Sequence, residues 1–232
     1  MLKSRFTSDS KLEIGVDEAG RGPLWGPLMA AAVIWPPECD WKDCHRELAP
    51  KIQDSKKISP KKRESIAEKI KAAALSYGIG IVTPDEIDTL GATRANQLAF
   101  RRAILDMKSK DTSLVNVSLS SIRILIDGIL PLSDLLEGEE QHTIIDGDAT
   151  YLSIAAASIL AKVEHDSWVV KWCKENVAEA AKYDLLNCKG YGTAKHRAGI
   201  VNYGYTDLHR RLYLRKLIPG IVVSRYKIVE DN

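Results

Sequence analysis

Leu12-Glu13-Ile14-Gly15-Val16-Asp17-Glu18 runs into Ala19-Gly20-Arg21-Gly22-Pro23, and after four residues Leu28-Met29-Ala30-Ala31-Ala32-Val33-Ile34-Trp35 follows. Residues 12–16 read as a strand that ends at two carboxylates. The run 28–35 is continuously apolar, as in a strand buried on both faces. Its partner across the turn is the first strand, so the two are expected to form an antiparallel hairpin. Pro36-Pro37 ends the second strand.

The polar stretch 38–58 reads as a loop. Ser59-Pro60 then suits a helix start, with Ser as N-cap and Pro at the first helical position. Ile66, Ile70, Ala73, Ala74 and Tyr77 fall on one helical face, and Gly78 is read as the stop. Residues 80–83 suit a short strand, 84–90 a turn or helical piece, and 92–107 a second helix. Residues 122–126 form a strand ending at Asp127-Gly128, and 143–145 a short strand ending near Asp146. A long helix rich in Ala and Ile starts at Ser153 and runs towards Trp172; beyond Lys182 come helical pieces joined by Gly and Asn turns. The expectation is an α/β fold: a mixed β-sheet flanked by helices (residues 1–182), with a C-terminal helical segment (residues 183–232) packed on it.

At 232 residues with 45% hydrophobic and 28% charged, the chain suits a soluble globular protein. The net charge of +2 conceals an asymmetry. Residues 182–227 hold ten Lys or Arg against Asp184 and Asp207, a local +8 that leaves −6 elsewhere. An acidic body with a basic arm fits a polyanionic partner, although a solvated basic surface would look the same. Cys39, Cys44, Cys173 and Cys188 form no C-x-x-C, so zinc spacing is absent and a reducing, cytoplasmic setting is expected. Residues 1–11 lack the apolar core of a secretory signal, and no run approaches a membrane span.

Carboxylates gather where strands end. Asp17 and Glu18 close the first strand, Asp127 closes a later one, and Asp148 precedes the long helix, with Asp146 as an alternative to it. Such positions collect functional groups in open α/β sheets, though turns and caps use the same residues. Four converging carboxylates repel one another unless hard divalent cations neutralise them, which points to magnesium or manganese. Two such ions can activate water and stabilise the leaving oxygen in a phosphoryl displacement.

These residues carry a resemblance. Asp17-Glu18-Ala19-Gly20-Arg21-Gly22-Pro23 is similar to the D-E-x-G-R-G-P signature of ribonuclease HII. Asp54-Ser55-Lys56-Lys57, Ile126-Asp127-Gly128, Gly147-Asp148 with Ala155-Ala156-Ala157-Ser158-Ile159-Leu160-Ala161-Lys162-Val163, and Lys189-Gly190-Tyr191-Gly192-Thr193 with His196 resemble later motifs of that family, in its order. The resemblance implies a ribonuclease H-like sheet. It also implies an endoribonuclease acting on RNA–DNA hybrids and on the 5′ side of ribonucleotides in duplex DNA, leaving 3′-hydroxyl and 5′-phosphate ends. Asp17, Glu18, Asp127 and Asp148 become the catalytic and metal-binding acids, for two Mg2+ or Mn2+ ions. Gly20, Arg21 and Gly22 become the sensor of the 2′-hydroxyl, and Tyr191 the residue that stacks on the following deoxynucleotide.

The residue chemistry agrees. Glycines let main-chain groups approach a sugar, the 2′-hydroxyl distinguishes RNA from DNA, and Arg forks onto phosphate. Lys56 suits a phosphate contact, and Lys57 either that or an ordinary surface position. Lys162 is read either as reaching the acids or as capping a sheet edge, and Asp166 as an ion-pair partner rather than an outer acid. His196 is read as structural or phosphate-touching, His209-Arg210-Arg211 as a basic cluster available to contact the duplex, and Trp25 as core.

The chain departs from the family's pattern at Asp146, where a basic residue is frequent. It departs also at His165-Asp166, in place of Arg-Asp, and at Leu212-Tyr213, in place of Ser-Phe. A lone subunit is the expectation, and the tail 224–232 shows no aromatic pair of the sliding-clamp type. The rival readings are weaker: a phosphotransferase lacks a G-x-x-x-x-G-K-[ST] loop, a dinucleotide binder lacks G-x-G-x-x-G, and a non-catalytic nucleic-acid module leaves the acids without a purpose.

Overall fold

A computed structural model describes residues 2–110, 114 and 117–223. Among them the chain forms strands β1 (Leu12–Ala19), β2 (Leu28–Ile34), β3 (Ser76–Val82), β4 (Ile122–Asp127) and β5 (Glu140–Ile144). The helices are α1 (Asp43–Leu48), α2 (Pro60–Ala73), α3 (Pro84–Leu90), α4 (Ala92–Lys110), α5 (Leu152–Glu175), α6 (Val177–Lys182), α7 (Leu185–Cys188), α8 (Ala194–Tyr203) and α9 (Arg211–Leu214). No helix among the described residues is long and apolar enough to cross a membrane. The mixed α/β sheet has five strands in the order β3-β2-β1-β4-β5. As expected, β1 and β2 pair antiparallel, from Ile14–Ile34 to Ala19–Met29. Strand β1 also pairs parallel with β4, and β4 with β5.

Two compact units divide the chain. The first comprises Met1–Ala19, Met29–Ile81 and Gln97–Glu164; the second gathers Gly20–Leu28, Val82–Asn96 and the chain from His165 onward. The basic C-terminal segment therefore shares its unit with two stretches from much earlier in the chain.

Burial drives both. In the first unit β2 is buried along its whole length, and Ala155, Ala156, Ala157, Ile159, Leu160 and Ala161 of α5 pack with Ala31, Val33, Trp35 and Ile70. Small side chains let the helix lie close to the sheet. At Gly15 an added Cβ would stand 2.3 Å from the Ser153 carbonyl carbon, so β1 and α5 approach nearly backbone to backbone there. In the second unit Trp25 is fully buried with Val169, Tyr183, Leu185, Ile200 and Leu214, its ring 4.7 Å from that of Trp172.

Three local expectations change. The polar stretch 38–58 contains α1, whose buried His45 accepts from the Lys42 amide through Nδ1 and hence donates from Nε2 to the Ala73 carbonyl. Gly78 does not stop α2. That helix ends at Ala73, the Leu75 amide binds the Ile34 carbonyl, and the chain enters β3 at Ser76, so Tyr77 lies on the strand. Strand β5 begins at Glu140, earlier than its apolar residues suggest.

Candidate active site

Asp17 sits two residues beyond Gly15 on β1 and therefore shares the face that meets α5. It is buried at 6% exposure. The Ser158 hydroxyl of α5 and the Glu18 amide, 2.7 Å away, donate to its carboxylate. Ser55 Oγ lies 3.1 Å from Ser158 Oγ, so two buried hydroxyls stand behind this acid. Burial holds the Asp17 pKa well above its usual range, and the charges of Glu18 and Asp127 push it further. Glu18, next in the strand, is half-buried.

Asp127 is the last residue of β4 and follows Ile126, which is registered with Val16. Because the two strands run parallel, Asp17 and Asp127 occupy the same C-terminal edge, one strand spacing of about 4.8 Å apart. The tight turn Gly147–Ala149 brings the Asp148 amide to 3.2 Å from Asp127 Oδ1. The Asp127 pKa is raised by burial and by Asp148; the amides of Asp148 and Gly147 and the charge of Lys56 oppose this in part. Asp148 is raised by burial and then by Asp54, with Asp146 adding a smaller push. Asp146 itself is exposed, in a left-handed conformation at φ 53°.

Lys56 is exposed, and its charge acts on both Asp127 and Asp148. Its loop is shaped by Asp54, whose carboxylate accepts from the Lys56 amide at 2.9 Å. Lys57 is exposed with its ammonium 3.9 Å from Asp54, and Lys162 is half-buried on α5. Asp54, Ser55 and Ser158 join this neighbourhood without having been singled out in the sequence. Their only signal was membership of the D-S-K-K and alanine-rich motifs.

Every donor in this set is a carboxylate oxygen, and the acids raise one another's pKa. Such a surplus of negative charge fits hard divalent cations. Among the described residues no three His, Cys, Asp or Glu side chains stand close enough together to hold an ion as they are placed.

The second unit holds the other expected residues. Gly20 has φ +81°, and a Cβ there would stand 2.4 Å from the buried His165 ring, so glycine is required both by conformation and by space. Arg21 and Gly22 are exposed. Tyr191, 42% exposed, brings its ring edge to 3.7 Å from where a Gly22 Cβ would be. An open groove of 740 Å³ beside this loop is lined by Arg21, Gly22, Tyr213, Arg215 and Lys216 together with the apolar Leu24, Ala92 and Leu212. Asp166 Oδ1 lies 3.0 Å from His165 Nδ1, a hydrogen bond to the ring that stands beside Gly20.

Two of the three residues of the late basic cluster face inward, so it is not a basic surface as a whole, and the partly exposed Arg211 is held by acids. His209 and Arg210 are buried at 1% and 0%, and Arg211 pairs with Asp88 and Asp85 while the amides of Arg211 and Leu212 cap onto Asp88. His196 is fully buried too and touches no surface that a phosphate can reach. Burial lowers the pKa of both histidines, His209 to about 3, so both are neutral near pH 7.

Residues 14–216 match the family model described as Ribonuclease HII. Ribonuclease HII of Caldanaerobacter subterraneus subsp. tengcongensis is 41% identical over 206 residues, covering 89% of this chain and 75% of the relative. The ribonuclease H2 of Pyrococcus horikoshii OT3 shares the fold with a TM-score of 0.61 at 23% identity, covering 88% of this chain and 96% of that one. Bst-RNase HIII in complex with Mn2+ shares it with a TM-score of 0.60 at 17% identity, covering 83% and 70%. The chain belongs to the ribonuclease HII family, metal-dependent endoribonucleases that cut the RNA strand of RNA–DNA hybrids.

Proposed function

We propose that this enzyme also cuts on the 5′ side of ribonucleotides embedded in duplex DNA, with Asp17, Glu18, Asp127 and Asp148 holding two divalent ions, magnesium or manganese. The observation that carries the reading is the set of acids on the β1–β4 edge, where Asp17 and Asp127 both have raised pKa values and lie side by side on parallel strands. The Mn2+ complex of the HIII relative supports the class of ion. Bound there, the ions supply neutralising charge and Lewis-acid activation of water and phosphate, giving 3′-hydroxyl and 5′-phosphate products.

The chain's own groups do the rest. Ser158 and the Glu18 amide orient the Asp17 carboxylate, and the Asp148 amide orients that of Asp127. Lys56 tempers the charge of Asp127 and Asp148 and meets a backbone phosphate. The Gly20-Arg21-Gly22 loop reads the ribonucleotide 2′-hydroxyl, with Arg21 on the adjacent phosphate. Tyr191 lays its exposed ring on the sugar of the next deoxynucleotide. The enzyme works as a lone subunit. The tail 224–232, read in the sequence as lacking a sliding-clamp motif, lies outside the described residues.

The test is cleavage of a labelled DNA duplex containing one ribonucleotide, with magnesium, manganese or chelator. A metal-dependent cut 5′ of the ribonucleotide is expected. Cleavage confined to long hybrids would remove the junction roles of Arg21 and Tyr191 while leaving the nuclease.

A further inference from the structure

His209 and Arg210 are adjacent in sequence, buried, and absent from the chemistry above. Their backbone is tied to the loop around Trp25. The Gly26 amide donates to the Leu208 carbonyl at 2.9 Å, and the Arg210 amide to the Leu24 carbonyl at 2.8 Å. The Leu24 amide in turn donates to the Gly190 carbonyl at 2.8 Å, next to Tyr191.

The side chains go two ways. His209 Nδ1 accepts from the Thr206 amide at 2.9 Å, so its proton is on Nε2. That Nε2–H donates to His196 Nε2 at 3.2 Å, which leaves the His196 proton on Nδ1. His196 Nδ1–H then donates to the Tyr191 carbonyl at 2.9 Å. Each bond fixes the next tautomer, and the chain ends on the main chain of Tyr191.

Arg210 reaches the other element. Its Nε donates to the Gly26 carbonyl at 2.9 Å, one terminal nitrogen to the Arg21 carbonyl at 3.1 Å and the other to the Gly20 carbonyl at 2.7 Å. Tyr213 lies 5.5 Å beneath the guanidinium, and its hydroxyl donates to the Arg21 carbonyl at 3.0 Å. No peptide bond among the described residues is cis, so each C=O opposes the next N–H. With the Gly20 and Arg21 carbonyls turned towards Arg210, the amides of Arg21 and Gly22 point away from it.

We propose that His209 and Arg210 are positioning residues for ribonucleotide recognition: one dipeptide that holds Tyr191 through His196 and holds the Gly20-Arg21-Gly22 loop by its carbonyls, so that the two reading elements keep a fixed mutual placement. This rests on the reading of that loop and Tyr191 as the ribonucleotide sensor. A solvent-facing basic cluster would bind any duplex. A buried brace instead affects the ratio between a ribonucleotide-bearing duplex and its all-DNA twin.

The experiment measures that ratio of Kd values by fluorescence anisotropy, in chelator so that no cleavage occurs, for the full chain and for Arg210→Lys, His209→Phe, Tyr213→Phe, Arg21→Ala and Tyr191→Ala. Melting and circular dichroism are followed in parallel. A lysine cannot fork onto three carbonyls, and a phenylalanine cannot donate to His196. Each change is expected to reduce discrimination about tenfold, and Tyr213→Phe, which removes one hydrogen bond, about threefold. If Arg210→Lys or His209→Phe does not fold, Tyr213→Phe decides. If Arg21→Ala and Tyr191→Ala erase discrimination while the folded brace variants stay within about twofold of the parent, the positioning proposal is overturned and the sensor stands. If Arg21→Ala and Tyr191→Ala leave the ratio unchanged, the sensor reading fails and takes the brace's function with it.

Discussion

The two ends of the β1–β4 pair carry opposite electrostatics. At the N-terminal end Glu13 is registered with Arg123, whose guanidinium reaches Glu13 at 3.2 Å, Asp9 at 2.7 Å and Glu140 at 2.7 Å. Lys11 adds a second cation on Glu140 at 2.6 Å. The Arg123 side chain holds the pKa of Asp9 and of Glu140 below the usual carboxylate range. At the C-terminal end Asp17 and Asp127 are acids beside acids, and both are raised. The same two strands thus present a compensated cluster and an uncompensated one about four residues apart. Compensation is what a structural cluster needs. An uncompensated cluster raises the free energy of the fold, and it persists where a ligand supplies the missing charge.

The largest contrast is expected from Asp17→Asn. Partners of metal ligands alone are worth about 10–100-fold, so loss of a ligand should reduce cleavage by more than ~100-fold. The same substitution removes a buried acid from a repulsive cluster. In chelator the variant should melt higher than the parent, read by calorimetry beside a cleavage assay. A variant that loses cleavage and also melts lower would place Asp17 among the compensated, structural carboxylates.

Arg123→Met probes the opposite end. It removes the nearer cation from the buried Glu13, leaving Arg5 at 3.7 Å and the amides of Phe6 and Thr7, and also takes the guanidinium from Asp9 and Glu140, a loss of about 3 kcal/mol, or on the order of 10 °C in melting temperature. The fraction still folded should cut normally. Cleavage lost in step with Asp17→Asn, by protein still folded, would mean that the two ends are not separate in function.

How much of this contrast was legible in the sequence depended on what each residue's signal was. The continuous apolar run before Trp35 and the glycine-rich turn before it specified the hairpin, because burial on both faces admits few alternatives. Asp17, Glu18 and Asp127 were legible because an apolar run breaks at each, although only Asp127 ends its strand: β1 continues through Asp17 and Glu18 to Ala19, still paired with β2. Asp148 was legible only with its motif, since Asp146-Gly147-Asp148 reads equally as a turn. Strand β5 was seen only in part, because Glu140-Gln141-His142 is polar and the strand lies at the sheet's edge. The cluster His209-Arg210-Arg211 was misread for a definite reason. Charge in a linear sequence says nothing of burial, and the partners of Arg210 are carbonyls 184 to 190 positions away. Ser55 and Ser158, 103 positions apart, meet behind Asp17 by the same long-range folding.

Cation binding offers a smaller and more selective effect. Ions held by the folded acids at about ten times their Kd should stabilise the protein by about 1.4 kcal/mol, or roughly 3–5 °C. Manganese or magnesium should raise the melting temperature of the parent and of Lys57→Ala alike, and fail to raise that of Asp127→Asn. An equal rise in Asp127→Asn would move the cation away from the β1–β4 edge.

The smallest effect is in the pH dependence, and its sign separates the two ends. Asp9 and Glu140 are lowered on folding, so their contribution is present above the unfolded values of 3.8 and 4.5 and lost as pH falls further. Asp17 and Asp127 are raised, so theirs is present below 3.8 and lost as pH rises through their folded values. His209 is lowered to about 3 from 6.5 by burial, so it withdraws stability as pH falls below about 6.5 and masks both trends in a single melt. The difference between parent and Asp17→Asn cancels that background. In chelator the variant's advantage should be greatest near neutral pH and shrink steadily on acidification, as Asp17 in the parent takes up its proton and the repulsion with Glu18 and Asp127 disappears. An advantage that stays constant from neutral to acid pH would mean that Asp17 carries no penalty as an anion, and the uncompensated end would have to be rebuilt on other groups.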